Sequence, residues 1–153
     1  MIVYRLAISA YKNDLSGNGA KLYGGRWNPA GIAVLYCTEN ISLAVLEILI
    51  RTGKDTIPRN YFLMKLNIPN TLKIISLNKS HFNADWKEDT TYTQWLGSEF
   101  IKNSQAAVLK IPSAIVDEEH NFICNPAHND FQKIKITASK KFEFDKRLYL
   151  KNE

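Results

Sequence analysis

The sequence has little cysteine and no long hydrophobic run. Its 153 residues include two cysteines, five prolines and seven glycines. No apolar run approaches the roughly 18–20 residues that cross a bilayer, and the N-terminus lacks the pattern of a signal peptide. Cys37 and Cys124 lie in apolar, strand-like contexts, so we expect reduced core thiols in a cytoplasmic protein, with no membrane association. The three histidines are not spaced as metal ligands, and we expect no metal site.

Negative charge is in the minority, with 15 acidic residues against 20 lysines and arginines and a net charge of +5. The cations are mostly scattered lysines, and such a surface usually serves solubility. An alternative is a non-catalytic basic module that binds nucleic acid or a partner protein. No zinc-finger spacing or RNA-binding aromatic motif supports it, and we expect no direct nucleic-acid binding. The densest patch contains Lys133, Lys135, Lys140, Lys141, Lys146, Arg147 and Lys151.

The hydrophobic pattern predicts one strand-rich α+β domain over residues 1–153, with two main helices. A chain of this length can bury enough surface to fold without a disulfide or a metal. One helix runs through residues 43–50 after a cap at Asn40 or Ser42 and stops near Gly53, and the other covers 91–102. Residues 9–28 form a polar, glycine-rich stretch. Strands are predicted at 2–6, 32–37, 61–68, 72–77, 106–111 and 122–124, and a hairpin or pair of strands at 134–150.

Glu47 is the only ionisable residue in an otherwise apolar helical segment, residues 41–50. Three of its four helical neighbours are apolar, and the fourth is Arg51. A carboxylate in this position is either paired or costly to bury. One interpretation is an exposed Glu47 paired with Arg51. The other is an acid directed into a cleft, where it binds a hydroxyl or stabilises developing positive charge.

A second unusual segment is Gly24-Gly25-Arg26-Trp27-Asn28-Pro29. The glycines permit unusual backbone angles and close approach of a ligand. The arginine offers a planar fork of donors suited to phosphate, and the tryptophan can pack or stack. A tight turn with a surface arginine is the simpler alternative. The spacing of a Walker loop or a dinucleotide fingerprint is absent.

Two polar residues follow predicted strands. Ser113 comes directly after Pro112, and Asn125 opens the segment Asn125-Pro126-Ala127-His128. Serine and asparagine at strand ends commonly cap or close turns, so each residue alone favours a structural role. No Gly-x-Ser-x-Gly elbow surrounds Ser113, which argues against a hydrolase nucleophile.

Taken in order, these segments resemble the RES domain, the toxin half of bacterial RES–Xre toxin–antitoxin systems. The resemblance covers residues 2 to about 150, and its strength lies in the number, order and spacing of the matching pieces. The family is named for an arginine, a glutamate and a serine, which here match Arg26, Glu47 and Ser113. The matching segments are Tyr4-Arg5, residues 17–31, Val34-Leu35-Tyr36, residues 42–47, residues 108–113, Asn125-Pro126-Ala127-His128 and Phe131.

The resemblance implies an ADP-ribosyltransferase-like fold and an enzyme that acts on NAD as substrate, without a metal. Family members break the bond between nicotinamide and ribose, with hydrolysis, phosphorolysis or ADP-ribosylation of a protein as outcomes. NAD depletion or target inactivation then arrests growth. The implied partner is an Xre-type antitoxin with a helix-turn-helix domain, and the family also allows a homodimer. The alternative within enzymes is a mono-ADP-ribosyltransferase that modifies one protein.

On this resemblance we expect four catalytic residues. Arg26 would hold the pyrophosphate, and Tyr36 would pack against nicotinamide or its ribose. Glu47 would accept a hydrogen bond from a ribose hydroxyl and stabilise the positive charge of the transition state. Ser113 would fix Glu47 or touch the ribose or phosphate.

Three more residues complete the predicted binding site. Gly25 would allow close approach of the ligand. Arg5 would assist in binding or order the first strand. Asn125 is the weakest candidate and is expected to brace the loop that carries Ser113.

Overall fold

The computed structural model describes residues 1–149, which form a mixed seven-stranded sheet with three helices. The strand order is β4-β5-β6-β2-β1-β3-β7, and every neighbouring pair is antiparallel except β4 and β5. The strands are β1 (Ile2–Ile8), β2 (Leu35–Thr38), β3 (Tyr61–Asn67), β4 (Ile74–Ser76), β5 (Val108–Pro112), β6 (His120–Cys124) and β7 (Lys135–Phe142). The helices are α1 (Asn18–Tyr23), α2 (Ile41–Thr52) and α3 (Thr90–Asn103).

Both predicted main helices are present, as α2 and α3. Helix α2 follows Asn40 and ends at Gly53, whose φ of 76° suits a residue without a side chain. Helix α3 begins after Asp89, whose carboxylate accepts a hydrogen bond from the amide of Tyr92. The sequence pattern therefore located both helices to within a few residues.

Helix α1 is an addition to the two predicted helices, and it lies in the polar, glycine-rich stretch of residues 9–28. It is only six residues long and contains Gly19, so it has neither the length nor the apolar periodicity of a predictable helix. Contacts from outside stabilise it: the side-chain amide of Asn28 donates to the carbonyl of Ala20.

The predicted hairpin at the C-terminus is wrong within the described residues. One strand, β7, is followed by an irregular segment and a short 3-10 turn. The aromatic rings of this segment are buried instead of paired in a strand: Phe144 packs edge-on against Tyr61 of β3, with ring centroids 5.4 Å apart. Tyr149 joins the same cluster. Residues 150–153, including Lys151 of the predicted basic patch, lie outside the described residues.

The sheet has two unlike faces. Strand register places α2 and α3 over the same face, which we call the helix face. Below α2 lie Leu6 and Leu63, and below α3 lie Leu109 and Ile123 around the buried ring of Trp27. The opposite face is covered mainly by irregular segments and carries Val3, Leu35, Cys37, Leu66, Phe122 and Cys124. Cys37 and Cys124 are buried free thiols, as expected.

At Gly97, helix α3 packs against the backbone of Trp27. A Cβ atom at this position would lie 1.8 Å from the carbonyl oxygen of Trp27. We expect Gly97→Ala to lower the free energy of unfolding by about 3 kcal/mol, because the helix must move away from backbone atoms that cannot yield. Chemical denaturation followed by circular dichroism measures the change.

Gly19→Ala is the matched control for this substitution. Gly19 also lies in a helix, but nothing is within 4 Å of a Cβ built on it. Its replacement should leave stability unchanged or raise it slightly, because alanine favours helix more than glycine does. Equal stability of the two variants would contradict the close contact at Gly97.

Candidate active site

The segment around Arg26 is a rigid turn. The amide of Gly25 donates to the carbonyl of Asn28 over 2.8 Å. The side chain of Asn28 is fully buried, and its Nδ2 donates to three carbonyls, those of Ala20, Pro29 and Ile32. Its Oδ1 accepts a hydrogen bond of 2.7 Å from the hydroxyl of Tyr36. These hydrogen bonds therefore fix the conformation of the turn that carries Arg26.

Tyr36 on β2 connects this turn to the sheet. Its hydroxyl donates to Asn28 and accepts a hydrogen bond of 3.0 Å from the amide of Trp27. Burial raises the pKa of Tyr36 above its ordinary value; the Trp27 amide lowers it, the Glu47 carboxylate raises it and Arg26 lowers it. Arg26 directly precedes Trp27, and Glu47 bonds to Asn121 on β6, the strand that pairs with β2, so both charged residues belong to the region around Tyr36.

A glycine is needed at position 25 because the side chains of Tyr36 and Asn28 pack against its backbone. A Cβ atom there would lie 2.8 Å from the hydroxyl oxygen of Tyr36 and 3.0 Å from Oδ1 of Asn28. The missing side chain thus makes room for Tyr36 and Asn28, whereas the sequence suggested room for a ligand. The prediction that Gly25 contacts the ligand has no support in this geometry.

Arg26 lies at the tip of the turn, half-buried. Its Nη1 donates to the carbonyl of Lys87 over 2.7 Å, and its own carbonyl accepts a hydrogen bond from Thr93 on α3. Within residues 1–149 the guanidinium forms no ion pair. It is thus anchored by one neutral partner, and its positive charge remains uncompensated, as anion binding requires.

A charged clamp holds the segment that anchors Arg26. Asp117 pairs with Lys87 and, over 3.1 Å, with Lys79. Hydrogen bonds from these two lysines lower the pKa of Asp117. These ion pairs connect the loop after β5 to the segment before α3, whose Lys87 carbonyl accepts the hydrogen bond from Arg26.

Glu47 lies half-buried on α2 and is directed to the sheet. Its Oε1 accepts a hydrogen bond of 2.7 Å from Nδ2 of Asn121 on β6. Within the described part of the chain no ion pair joins Glu47 to Arg51, so the interpretation of an exposed pair is wrong. The carboxylate is therefore held by an uncharged donor, with no cation paired to it among the described residues.

Ser113 does not hold Glu47. Its fully buried hydroxyl accepts hydrogen bonds of 3.0 and 3.1 Å from the amides of Ile115 and Val116. Its own amide donates to the carbonyl of Glu119. Ser113 therefore closes the turn after β5. The hydrogen bond to Glu47, which was expected for Ser113, is made by Asn121. Contact of Ser113 with the ligand stays a prediction.

Asn125 is also fully buried, but its contacts are elsewhere. Its Oδ1 accepts from the amide of Ala127, and its Nδ2 lies near the carbonyl of Ile101 and the hydroxyl of Ser104, at 3.4 and 3.5 Å. Asn125 thus braces the end of α3, and the expectation that it braces the Ser113 loop is wrong. It follows the last residue of β6 and is four residues from Asn121, a distance of about 13 Å in extended chain.

Arg5 lies where β1 and β2 separate. The two strands share a single register pair, Tyr4 with Thr38. Next to it, Nη1 of Arg5 donates to the carbonyl of Tyr36 over 3.3 Å, while its Nε is buried without a partner among the described residues. Burial lowers the pKa of Arg5. By register its side chain leaves β1 on the face opposite the Tyr36 ring, so it orders the strands, and ligand binding through the unused Nε stays a prediction.

The structure therefore brings Arg26, Tyr36 and Glu47 together on the helix face, with Ser113 at the same end of the sheet. Sequence reasoning gave no role to Asn28 or Asn121. The sequence does mark Asn121 as unusual, because strand alternation places this polar residue on the same face of the sheet as apolar Ile123. Its partner Glu47 lies 74 residues away, and the sequence does not give that pairing.

Other polar groups do not form a metal centre. His120 bonds to Glu39 over 2.9 Å, and Nδ1 of His128 accepts from the amide of Asp130. Among residues 1–149, no three His, Cys, Asp or Glu side chains gather as metal ligands. In that same range no helix has the length and apolar character needed to cross a membrane.

Comparisons with known proteins identify relatives of this chain. The chain is 40% identical over 154 aligned residues to Toxin Res of Photorhabdus laumondii subsp. laumondii, and the alignment covers 97% of each chain. It is 32% identical to the Prs ADP-ribosylating toxin of a Sphingobium species, over 91% of this chain and 89% of the relative.

The fold is also found among solved structures. The M. tuberculosis MbcT–MbcA toxin–antitoxin complex contains a chain that superposes with a TM-score of 0.73 at 16% identity, covering 93% of this chain and 84% of that one. The expected α+β, ADP-ribosyltransferase-like architecture is confirmed. Finally, the family model of the RES domain matches residues 2–145, nearly the whole chain. This protein belongs to the RES domain family.

Proposed function

We propose that this chain is the toxin of a bacterial toxin–antitoxin pair and that it cleaves the bond between nicotinamide and ribose in NAD. The proposal rests on the placement of Arg26 and Glu47, neither of which forms an ion pair among residues 1–149. Arg26 precedes Trp27, whose amide bonds to the Tyr36 hydroxyl, and Glu47 bonds to a residue of β6, the strand that pairs with the strand of Tyr36. NAD offers the complementary groups, a negative pyrophosphate and a ribose that becomes positive during the reaction. Membership of the RES family and relatives named as toxins support the same activity.

The chemistry needs little from the protein beyond orientation and charge. Nicotinamide departs as a neutral molecule from a positively charged pyridinium, so no strong acid is required. The transition state resembles a ribosyl oxocarbenium ion, with positive charge spreading into the sugar. A carboxylate fixed close to the ribose stabilises that charge, and a preorganised contact of this kind is worth about 10²–10³ in rate.

Each residue of the site takes one part of this task. Arg26 binds the pyrophosphate with the N–H groups that Lys87 leaves unused. Tyr36 packs against nicotinamide or its ribose through its ring, because its hydroxyl is already engaged by Asn28. Glu47 accepts a hydrogen bond from a ribose hydroxyl and stabilises the oxocarbenium ion. Ser113 fixes the shape of the loop beside them.

Identification of the products tests the proposal. Purified protein is incubated with NAD, and the mixture is resolved by mass spectrometry, with a Glu47→Gln preparation controlling for contaminating enzymes. Nicotinamide with ADP-ribose indicates hydrolysis, and ADP-ribose 1″-phosphate in phosphate buffer indicates phosphorolysis. Intact NAD under both conditions, without transfer to protein, would reject the proposal.

A mono-ADP-ribosyltransferase is the second candidate. The observation that favours it is the similarity to the Prs ADP-ribosylating toxin of Sphingobium. The site would be the same, with a protein side chain in place of water or phosphate as acceptor. Labelled NAD mixed with a cell lysate separates the two activities, because transfer leaves the label on a protein and cleavage leaves it on small molecules.

The proposed partner is an Xre-type antitoxin. The solved structure with the same fold is a toxin–antitoxin complex, which supports a protein partner for this chain. An antitoxin that covers the region around Arg26 and Glu47 would block NAD directly.

A further inference from the structure

Asn121 occupies a position where the fold itself does not need a polar side chain. It lies on β6, between β5 and β2, in register with Ile111 and Thr38. Alternation along β6 places it on the helix face with Ile123, whose side chain belongs to the buried apolar cluster around Trp27. Asparagine is depleted from such central strands, where β-branched residues pack better. A contact other than sheet packing must therefore explain it.

The hydrogen bonds of Asn121 show what that contact is. Its Nδ2 donates to Oε1 of Glu47 over 2.7 Å, while its Oδ1 is buried and has no partner among the described residues. Rotating the amide by 180° would turn Oδ1 toward the carboxylate, so that two acceptors would face each other. The orientation of the amide is thus dictated by Glu47, at the cost of an unpartnered carbonyl.

We propose that Asn121 is the positioning residue of the catalytic carboxylate. By occupying Oε1 of Glu47 it fixes the rotamer of that side chain and leaves Oε2 for the ribose. An amide serves this purpose better than a cation, because it orients the carboxylate without neutralising the charge that the transition state requires. This inference rests on the proposed cleavage of NAD, and it assigns to Asn121 an effect on kcat and none on NAD binding.

The substitution Asn121→Asp tests the role through the pH profile. The introduced carboxyl group and Glu47 would face each other at hydrogen-bond distance, and such a pair retains one proton above the ordinary carboxyl range. Where the pair holds that proton, the introduced side chain can still donate to Glu47. We expect kcat to be near wild type at pH ~5.5 and about tenfold lower at pH 8, with KM for NAD within about twofold of wild type.

The wild type and the variant share the other charged and titratable groups of this region. They are Arg26 in the turn before β2, Tyr36 on β2, Arg51 on α2 and the Glu39–His120 pair at the ends of β2 and β6. Asn67→Asp is the matched control, since it introduces the same charge at another half-buried strand asparagine. Its profile should parallel that of the wild type.

A purely structural role of Asn121 predicts a different result. The Asn121→Asp variant would then lose activity by the same factor at every pH, or lose none, and either result would overturn the inference. Asn121→Ala should lose kcat about tenfold without recovery at low pH, because it has no proton to share. If wild-type protein consumes no NAD at any pH, the proposed function fails and the role of Asn121 in it fails as well.

The contact itself can be checked without any activity. At pH 8, Asn121→Asp should lower the melting temperature, and adding Glu47→Gln should restore it, because the amide of the introduced glutamine can donate to the introduced carboxylate. The double variant should nevertheless remain as inactive as Glu47→Gln alone. No restoration of the melting temperature would show that the two side chains are not in contact.

Discussion

Replacing Glu47 by glutamine is expected to lower kcat for NAD cleavage by about 10²–10³ and to leave KM within about twofold of wild type. The carboxylate acts on charge that exists only in the transition state, so its removal affects the chemical step. The fold should persist, because Asn121 can donate to the side-chain carbonyl of the introduced glutamine as it does to Oε1 of Glu47. Initial rates of nicotinamide release at several NAD concentrations separate the two parameters.

The control for this substitution is Glu143→Gln. Glu143 is exposed beyond β7, and its one ion pair among residues 1–149 is with Lys141, at 3.8 Å. The Glu143→Gln variant loses the same charge outside the site and should cleave NAD at the wild-type rate. Wild-type turnover by the Glu47→Gln variant, with an unchanged melting temperature, would show that Glu47 is wrongly assigned.

The second large effect is expected for Arg26→Ala, which should raise KM for NAD about 100-fold. Two hydrogen bonds between a guanidinium and a pyrophosphate contribute about 1.5–3 kcal/mol each, which corresponds to a factor of this size or larger. Arg26→Lys should fall between wild type and alanine, because it keeps the charge and loses the planar fork. Calorimetric titration with NAD in the Glu47→Gln background measures binding without turnover.

Arg59→Ala controls for the loss of one positive charge. Arg59 is exposed in the segment between α2 and β3. Its replacement lowers the net charge equally and should leave NAD affinity unchanged. Equal affinity of the Arg26→Ala variant and the wild type would reject the phosphate role of Arg26.

Most of the fold could be predicted from the sequence, since buried strands such as residues 61–67 and the apolar helix α2 have strong local signals. Two elements could not. Helix α1 depends on the amide of Asn28, which binds it from outside the helix. The segment after β7 is set by burial of Phe144 and Tyr149 against distant residues, and alternation alone does not reveal that contact.

The site shows the same division between local and long-range information. Arg26, Tyr36 and Glu47 were indicated by glycine spacing, by the resemblance and by a lone charge in an apolar helix, and the structure brings them together. The partner of Glu47 could not be read from the sequence, because it depends on the pairing of β2 with β6 and on the packing of α2 above them. The contact with Glu47 was expected for Ser113 on the family resemblance, but the hydroxyl of Ser113 is used by its own turn.

Strand β7 forms one edge of the sheet, and its exposed lysines, Lys135, Lys140 and Lys141, line that edge. A second copy adding its own β7 there would bring rows of like charge together, which opposes edge-to-edge aggregation. The protein should therefore resist edge-to-edge aggregation at high concentration. If the chain is the proposed toxin, this resistance would keep its molecules available to NAD, since aggregated molecules cannot bind their substrate.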